Sequence, residues 1–294
     1  MSLRTTIRPV TPYRLDLTVQ ALRRVITNVV DVVTPDGKYL RAFASDDGVN
    51  IVEVRQTQND LLEVHIKGRH ALARLETVAR MLGTSADLRV WNARVAMSPW
   101  LATLARDLRG VKPPRYPDLW EASCNAIVFQ QLSIVAASTI MRRFVERFSD
   151  PIEHDAVRLH PFPATAKILG ASDSKLHGVG LSRQKATYLK DVAAAVTSRS
   201  ITSTIIESLS TDDALRELQK IRGIGRWAAA NILLRGFGRL DVFPPSDSGA
   251  AKSIKILSGD PKTNLDEVLC SLGDVRGMLY FHFLLGRLRR LDGL

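Results

Sequence analysis

Only two cysteines, Cys124 and Cys270, occur among the 294 residues. Two thiols are too few for an iron–sulfur cluster or a four-cysteine zinc site. Both sit in apolar surroundings, as expected of small buried hydrophobes in a reducing compartment. The histidines (His65, His70, His154, His160, His177 and His282) show no metal-ligand spacing, and His282 on an apolar stretch reads as a core residue. No apolar run approaches the ~20 residues that span a bilayer, and no basic segment leads into an apolar stretch near the N-terminus. Neither a membrane span nor a secretory signal is therefore expected. Low-complexity tracts and internal repeats are also missing. Acids are the scarcer charge, 30 Asp and Glu against 41 Lys and Arg, for a formal net charge of +11. A soluble intracellular chain with this balance gathers polyanions, nucleic acid foremost.

What is present is ordinary globular composition, 45% hydrophobic and 24% charged. The length exceeds that of one simple core, so two or three compact units are expected. Residues 1–89 read as an antiparallel α+β unit. Stretches 39–44 and 49–54 are β-prone and flank Ser45-Asp46-Asp47-Gly48, a hairpin signal. A third strand is predicted over 61–67 and an early helix within 18–30. Helical spacing over 70–82 puts Leu72, Leu75, Val78, Ala79 and Leu82 on one face, with Gly83 ending the helix.

From Trp91 onward the pattern is helical. The stiff connector Val111-Lys112-Pro113-Pro114-Arg115-Tyr116-Pro117 leads to Asp118, an N-cap candidate. Helices are predicted over 119–130, 133–148, 164–168, 173–177, 183–198, 211–221 and 226–237. Pro244-Pro245 interrupts, and helices resume over 247–257, 265–271 and 275–290.

The most informative stretch is 215–249. Two helices flank Gly223-Ile224-Gly225, whose glycines allow a sharp turn and positive φ. Such a turn aims the free N–H groups of the next helix outward, where they and the helix dipole favour one phosphate. Around it Arg216, Lys220, Arg222, Arg226, Arg235 and Arg239 face the single acid Glu217 across residues 215–239. By itself this is equally an αα-hairpin with a solvated basic face. Past it, Asp241-Val242-Phe243-Pro244-Pro245-Ser246-Asp247-Ser248-Gly249 puts a carboxylate after a rigid turn at a helix start, where it also suits an N-cap.

In the order and spacing of hairpin, Phe-Pro and following Asp, the sequence resembles the helix-hairpin-helix, Gly/Pro-rich, aspartate (HhH-GPD) superfamily of DNA glycosylases. Its alkylated-base branch, that of 3-methyladenine DNA glycosylase II, is the nearer likeness. Trp120-Glu121-Ala122 through Phe129-Gln130-Gln131-Leu132-Ser133 agrees with it. So does Phe162-Pro163 through Val179-Gly180-Leu181-Ser182-Arg183-Gln184-Lys185-Ala186. The resemblance is strong from about residue 115 onward and weaker before it. It implies a mainly α fold: two helical lobes, 119–238 and 90–118 plus 239–294, with a DNA-facing cleft between them, after the N-terminal antiparallel α+β domain.

The resemblance further implies that Asp247 is the catalytic carboxylate, stabilising an oxocarbenium-like sugar and orienting water. Trp227, 20 residues earlier, stands where lyase-active members carry a Schiff-base lysine. A monofunctional enzyme is therefore expected, with Trp227 offering its face to a flipped, cationic base. Gln131 falls at the position that fills the gap left by the flipped nucleotide, with Leu132 beside it as the other candidate. Gly223, Ile224, Gly225 and Arg226 would clamp DNA. The backbone carbonyls of Gln219, Ile221 and Ile224 would hold a structural monovalent cation, and catalysis would need no cofactor.

Asn231 and Leu284 stand where enterobacterial members are aromatic, leaving Tyr280 or Phe243 to compensate in the base pocket. The implied partner is double-stranded DNA with a damaged base, met by a monomer in the cytoplasm and nucleoid, or in a nucleus. Substrates of the 3-methyladenine type lead, with 1-methyladenine, 7-methylguanine or hypoxanthine as further candidates. Two other readings stay open: a bifunctional glycosylase/lyase for oxidised purines, and a non-enzymatic DNA-binding module. Arg287, Arg289 and Arg290 suit either DNA contact or a solvated helix end.

Overall fold

The computed structural model describes residues 2–45 and 47–291. Strand β1 (Ser2–Ile7) and helix α1 (Leu15–Arg23) open the chain, followed by β2 (Asp31–Val33), β3 (Tyr39–Ser45), β4 (Gly48–Gln56) and β5 (Leu62–Lys67). These strands form one antiparallel sheet in the order β1-β5-β4-β3-β2. Helices α2 (Ala71–Met81), α3 (Arg89–Val95) and α4 (Pro99–Asp107) lead to the proline-rich connector. Then come α5 (Leu119–Phe129), α6 (Ile134–Phe148) and the small hairpin β6 (Ile152–His154) and β7 (Val157–Leu159). Helices α7 (Thr165–Leu169), α8 (Asp173–Gly178), α9 (Arg183–Thr197), α10 (Ser203–Ser208), α11 (Thr211–Gln219) and α12 (Arg226–Phe237) follow. The chain ends with α13 (Ser248–Leu257), α14 (Leu265–Leu272) and α15 (Gly277–Leu291).

Helix α5 is the axle of the helical part. Apart from Glu121 and Asn125 it carries mostly small and apolar residues on all sides, and Leu119 through Val128 are all buried, as such a helix must be. It packs against α12, α9 and α6. Asp118 caps it by accepting the Glu121 N–H at 2.8 Å, so the predicted N-cap is there. Lys185 donates to the Val128 and Gln130 carbonyls at 2.8 Å and satisfies the other end.

A buried ionic knot ties sheet to helices. Arg41 on β3 donates to Asp31 Oδ1 at 2.7 Å and also to Glu121 on α5, while Tyr39 Oη–H donates to Asp31 at 2.8 Å. Arg41, Asp31 and Glu121 are all buried. Burial pushes the Glu121 carboxyl up, against the pull of Arg41.

Several elements differ from the sequence expectation. Helix α1 starts at Leu15 rather than Thr18 and stops at Arg24, whose φ of 63° breaks the helix. Edge strand β1 escapes prediction because its alternating polar residues need β5 as a partner; β2, β6 and β7 are too short to show a pattern. Helix α10 also went unforeseen. Ser45 pairs with Gly48 as the hairpin signal requires, and Asp46 lies outside the described residues. Leu72 is 69% exposed, so the core face of α2 is Val78 and Met81, continued by Leu82. Gly83, at φ 59°, follows as expected. Cys124 is buried, but Cys270 is exposed on α14, which corrects the expectation of two buried thiols. Among the described residues no single helix is long and apolar enough to cross a membrane.

His282 is the core residue its setting predicted. Nδ1 is 3.0 Å from the Met278 carbonyl, and the ring packs on Trp91 at 4.7 Å between centroids. Burial lowers its pKa from 6.5 to about 4. A depressed histidine gives stability that is complete above the unfolded pKa and drains as pH falls toward the folded one. Melting temperature is expected to fall between pH 6.5 and pH 4, with about 3 kcal/mol lost from this ring. His282→Leu should flatten that slope, and parallel slopes in thermal melts of the two proteins would count against it.

Candidate active site

Helices α11 and α12 meet at the glycine turn. Gly223 has φ 93°, and a Cβ there would overlap the Tyr188 ring, so both backbone and space demand glycine. Gly225 does not follow the same logic: at φ −83°, ψ −177° it is extended and merely heads α12. Ile224 is buried and anchors the turn, its N–H donating to the Ile221 carbonyl at 3.1 Å. Gly225 and Arg226 are exposed at the start of α12.

The surrounding basic residues are less free than the sequence suggested. Arg216, Lys220 and Arg222 pair with Asp213, Glu217 and Asp191. Arg239 donates to the Ile206 and Leu209 carbonyls at 2.8 and 2.7 Å. Arg235 is fully buried and donates to the Ala21 and Leu22 carbonyls at the end of α1. It faces inward because that face of α12 packs on the rest of the protein.

Pro244-Pro245 and Ser246, the last at φ 55°, turn the chain into Asp247. Asp247 caps α13: its Oδ1 accepts the Ala250 N–H at 2.8 Å. Its Oδ2 accepts the Trp227 indole Nε1–H at 3.0 Å. The residue is only 9% exposed, so both oxygens are held against fixed donors and the positive end of a helix. The Arg287 guanidinium lies across Gly249 beside it, in space that any Cβ at 249 would take.

Asp247 and Trp227 border a cleft of about 740 Å³. Gln131 and Leu132 form its exposed lip, with Gln131 in the left-handed region at φ 56°. Beside it the Gln130 side chain donates across to the Gly223 carbonyl of the hairpin turn at 2.9 Å. Tyr280 and Leu284 reach the wall. Asn231 and Phe243 do not, correcting their placement in the pocket. Asn231 is buried behind Tyr280, 3.3 Å from its hydroxyl. Phe243 packs edge-on to the Tyr280 ring at 6.4 Å.

The cleft also holds Phe129 and Arg287, which the sequence reading names without placing them there, and Arg24 and Lys252, which it does not name. Arg24 comes from the end of α1, far from any motif, and only the folded chain brings it here. Burial would raise the Tyr280 phenol, but Arg24 and Arg235 outweigh it and leave it below its ordinary value. Of the C-terminal arginines, Arg289 lies 3.5 Å from the Asp107 carbonyl; the Arg290 side chain lies outside the described residues. A fixed carboxylate in such a cleft is placed to face a carbon that develops positive charge and to hold a water against it.

The model of the HhH-GPD superfamily of base excision DNA repair proteins matches residues 124–269. A DNA-3-methyladenine glycosylase of Bacillus subtilis is 31% identical over 184 residues, 62% of this chain and 61% of that protein. The chain thus spans less than two thirds of that relative's length. An alkylbase DNA glycosidase-like protein of Schizosaccharomyces pombe is 32% identical over 154 residues, 51% of this chain and 68% of its own. Among solved structures, the 3-methyladenine DNA-glycosylase from Archaeoglobus fulgidus superposes with a TM-score of 0.81. That match covers 96% of this chain and 98% of the other at 23% identity, a likeness of fold.

Proposed function

The chain belongs to the HhH-GPD superfamily of base excision DNA repair proteins, and from that premise we propose that it is a monofunctional DNA glycosylase for alkylated bases. The observation that carries this is the Asp247 carboxylate, fixed in the cleft by Ala250 N–H and by an indole at position 227, where a lyase would present an amine. The exposed turn at Gly225 and Arg226 takes a phosphate of duplex DNA. Gln131 or Leu132 fills the gap left when the damaged nucleotide rotates into the cleft. As the N-glycosidic bond stretches, the sugar gains positive charge and Asp247 stabilises it; the same carboxylate orients water for attack. The products are a free base and an unbroken abasic strand.

The carbonyls of Gln219, Ile221 and Ile224 would hold a monovalent cation between hairpin and phosphate. Ile221 spends one lone pair on Ile224 N–H and keeps the other. Neutral carbonyls suit a hard cation in a structural role, and no catalytic step depends on it. The protein acts as a monomer.

The test is incubation with methylated duplex DNA. Free 3-methyladenine should appear, strands should break only after alkali, and borohydride should trap no protein–DNA adduct. DNA binding without base release would favour the binding-module reading. A trapped adduct would favour a lyase, with Lys252, at the edge of the cleft, as the amine to examine.

A further inference from the structure

We propose that Arg24 is a specificity-determining residue that sorts flipped bases by charge, turning the pocket toward neutral alkylated bases and against cationic ones. The proposal rests on reading the cleft as the base pocket of a glycosylase. A base with a formal positive charge, such as an N3- or N7-methylated purine, gains most from an open aromatic face. Phe129 offers such a ring in this cleft, but the Arg24 guanidinium already lies over it, 3.7 Å from the centroid. At that ring a cationic base therefore meets a like charge rather than an electron-rich surface. A neutral base gains there, because its ring stacks on a guanidinium and its lone pairs accept the N–H groups.

The placement of Arg24 is built from several elements. Its φ of 63° turns the chain out of α1, and its N–H donates to the Gln20 carbonyl at 2.9 Å. Arg235 pins the same turn from behind through the Ala21 and Leu22 carbonyls. Arg24 Nη1–H donates to Asn125 Oδ1 at 3.1 Å, an oxygen that also accepts the Tyr116 hydroxyl at 2.9 Å. Arg24 is buried, and among the described residues no carboxylate forms an ion pair with it. Burial, then the charge of Arg235, opposes its protonated form, yet a guanidinium stays charged in proteins. A buried cation kept at that cost, lining a cleft, is matched by a ligand that brings acceptors rather than a second positive charge. The lone pairs of the Tyr280 hydroxyl, on the same wall, help to hold it.

The experiment compares single-turnover release from duplexes carrying one 1,N6-ethenoadenine, which is neutral, or one 7-methylguanine, which is cationic. Each rate is divided by release without enzyme. Wild type should favour the neutral base. In Arg24→Gln and Arg24→Phe the neutral-to-cationic ratio should fall at least about tenfold, the scale of one like-charge contact at partial burial, and Arg24→Lys should restore most of it. Variants that fold, bind DNA and keep the wild-type ratio would leave Arg24 a structural role only. A wild type that accelerates 7-methylguanine release more than ethenoadenine release overturns the proposal even if the variants do not fold. Release of neither base, nor of 3-methyladenine from methylated DNA, would instead sink the glycosylase reading itself.

Discussion

Asp247→Asn is expected to lower base release by about 10³-fold or more, the scale of a lost general base together with lost transition-state electrostatics, while duplex DNA still binds. Asparagine is the informative substitution because its amide oxygen can still cap α13 at the Ala250 N–H, as Oδ1 does at 2.8 Å. What disappears is the negative charge in the cleft, together with the oxygen that accepts the Trp227 indole N–H at 3.0 Å. Asp247→Ala would also remove the cap, costing about 1 kcal/mol of stability, and so would mix folding with chemistry. Release of methylated bases, DNA affinity and the melting curve of the Asn variant should be measured together. Release within tenfold of wild type would show that another group supplies the charge.

The second large effect lies in the core. Arg41→Met should destabilise the protein by about 3–5 kcal/mol, because it strands Asp31 and Glu121 without their shared cation. For a chain of this size that is a fall in melting temperature of roughly 5–8 °C. Neutralising all three members, as Arg41→Met with Asp31→Asn and Glu121→Gln, should recover much of the loss, since no charge is then left unpaired. Urea unfolding of the single and triple variants checks this. A single variant within 1 kcal/mol of wild type would mean that water or another cation reaches the two carboxylates.

The parts of the site that were legible in the sequence share one property: they are set by neighbours close in the chain. Gly223 is recognisable because a tight turn between two helices needs it. Helix α12 has the predicted bounds because Gly225 and Gly238 bracket it. Asp247 stands out because two prolines and a helix start isolate it. The resemblance puts Asn231 in the base pocket, but it is buried behind Tyr280. Arg235 read as a phosphate contact, though the fold uses it as a strut under α1. In both cases tertiary packing decided what the side chain meets, and position in the chain did not show it. Arg24 had no local signal at all, since its value depends on Phe129 and Asn125.

The segment shared with the superfamily, residues 124–269, contains Trp227 and Asp247. Arg24, Tyr280, Leu284 and Arg287 lie outside it, on α1's end and on α15, and those two helices pack together. The cleft is thus walled both by the matched segment, through Phe129, Trp227 and Asp247, and by the two stretches that flank it. Changes at the end of α1 and in α15 can therefore reshape one wall of the cleft while leaving Trp227 and Asp247 in place.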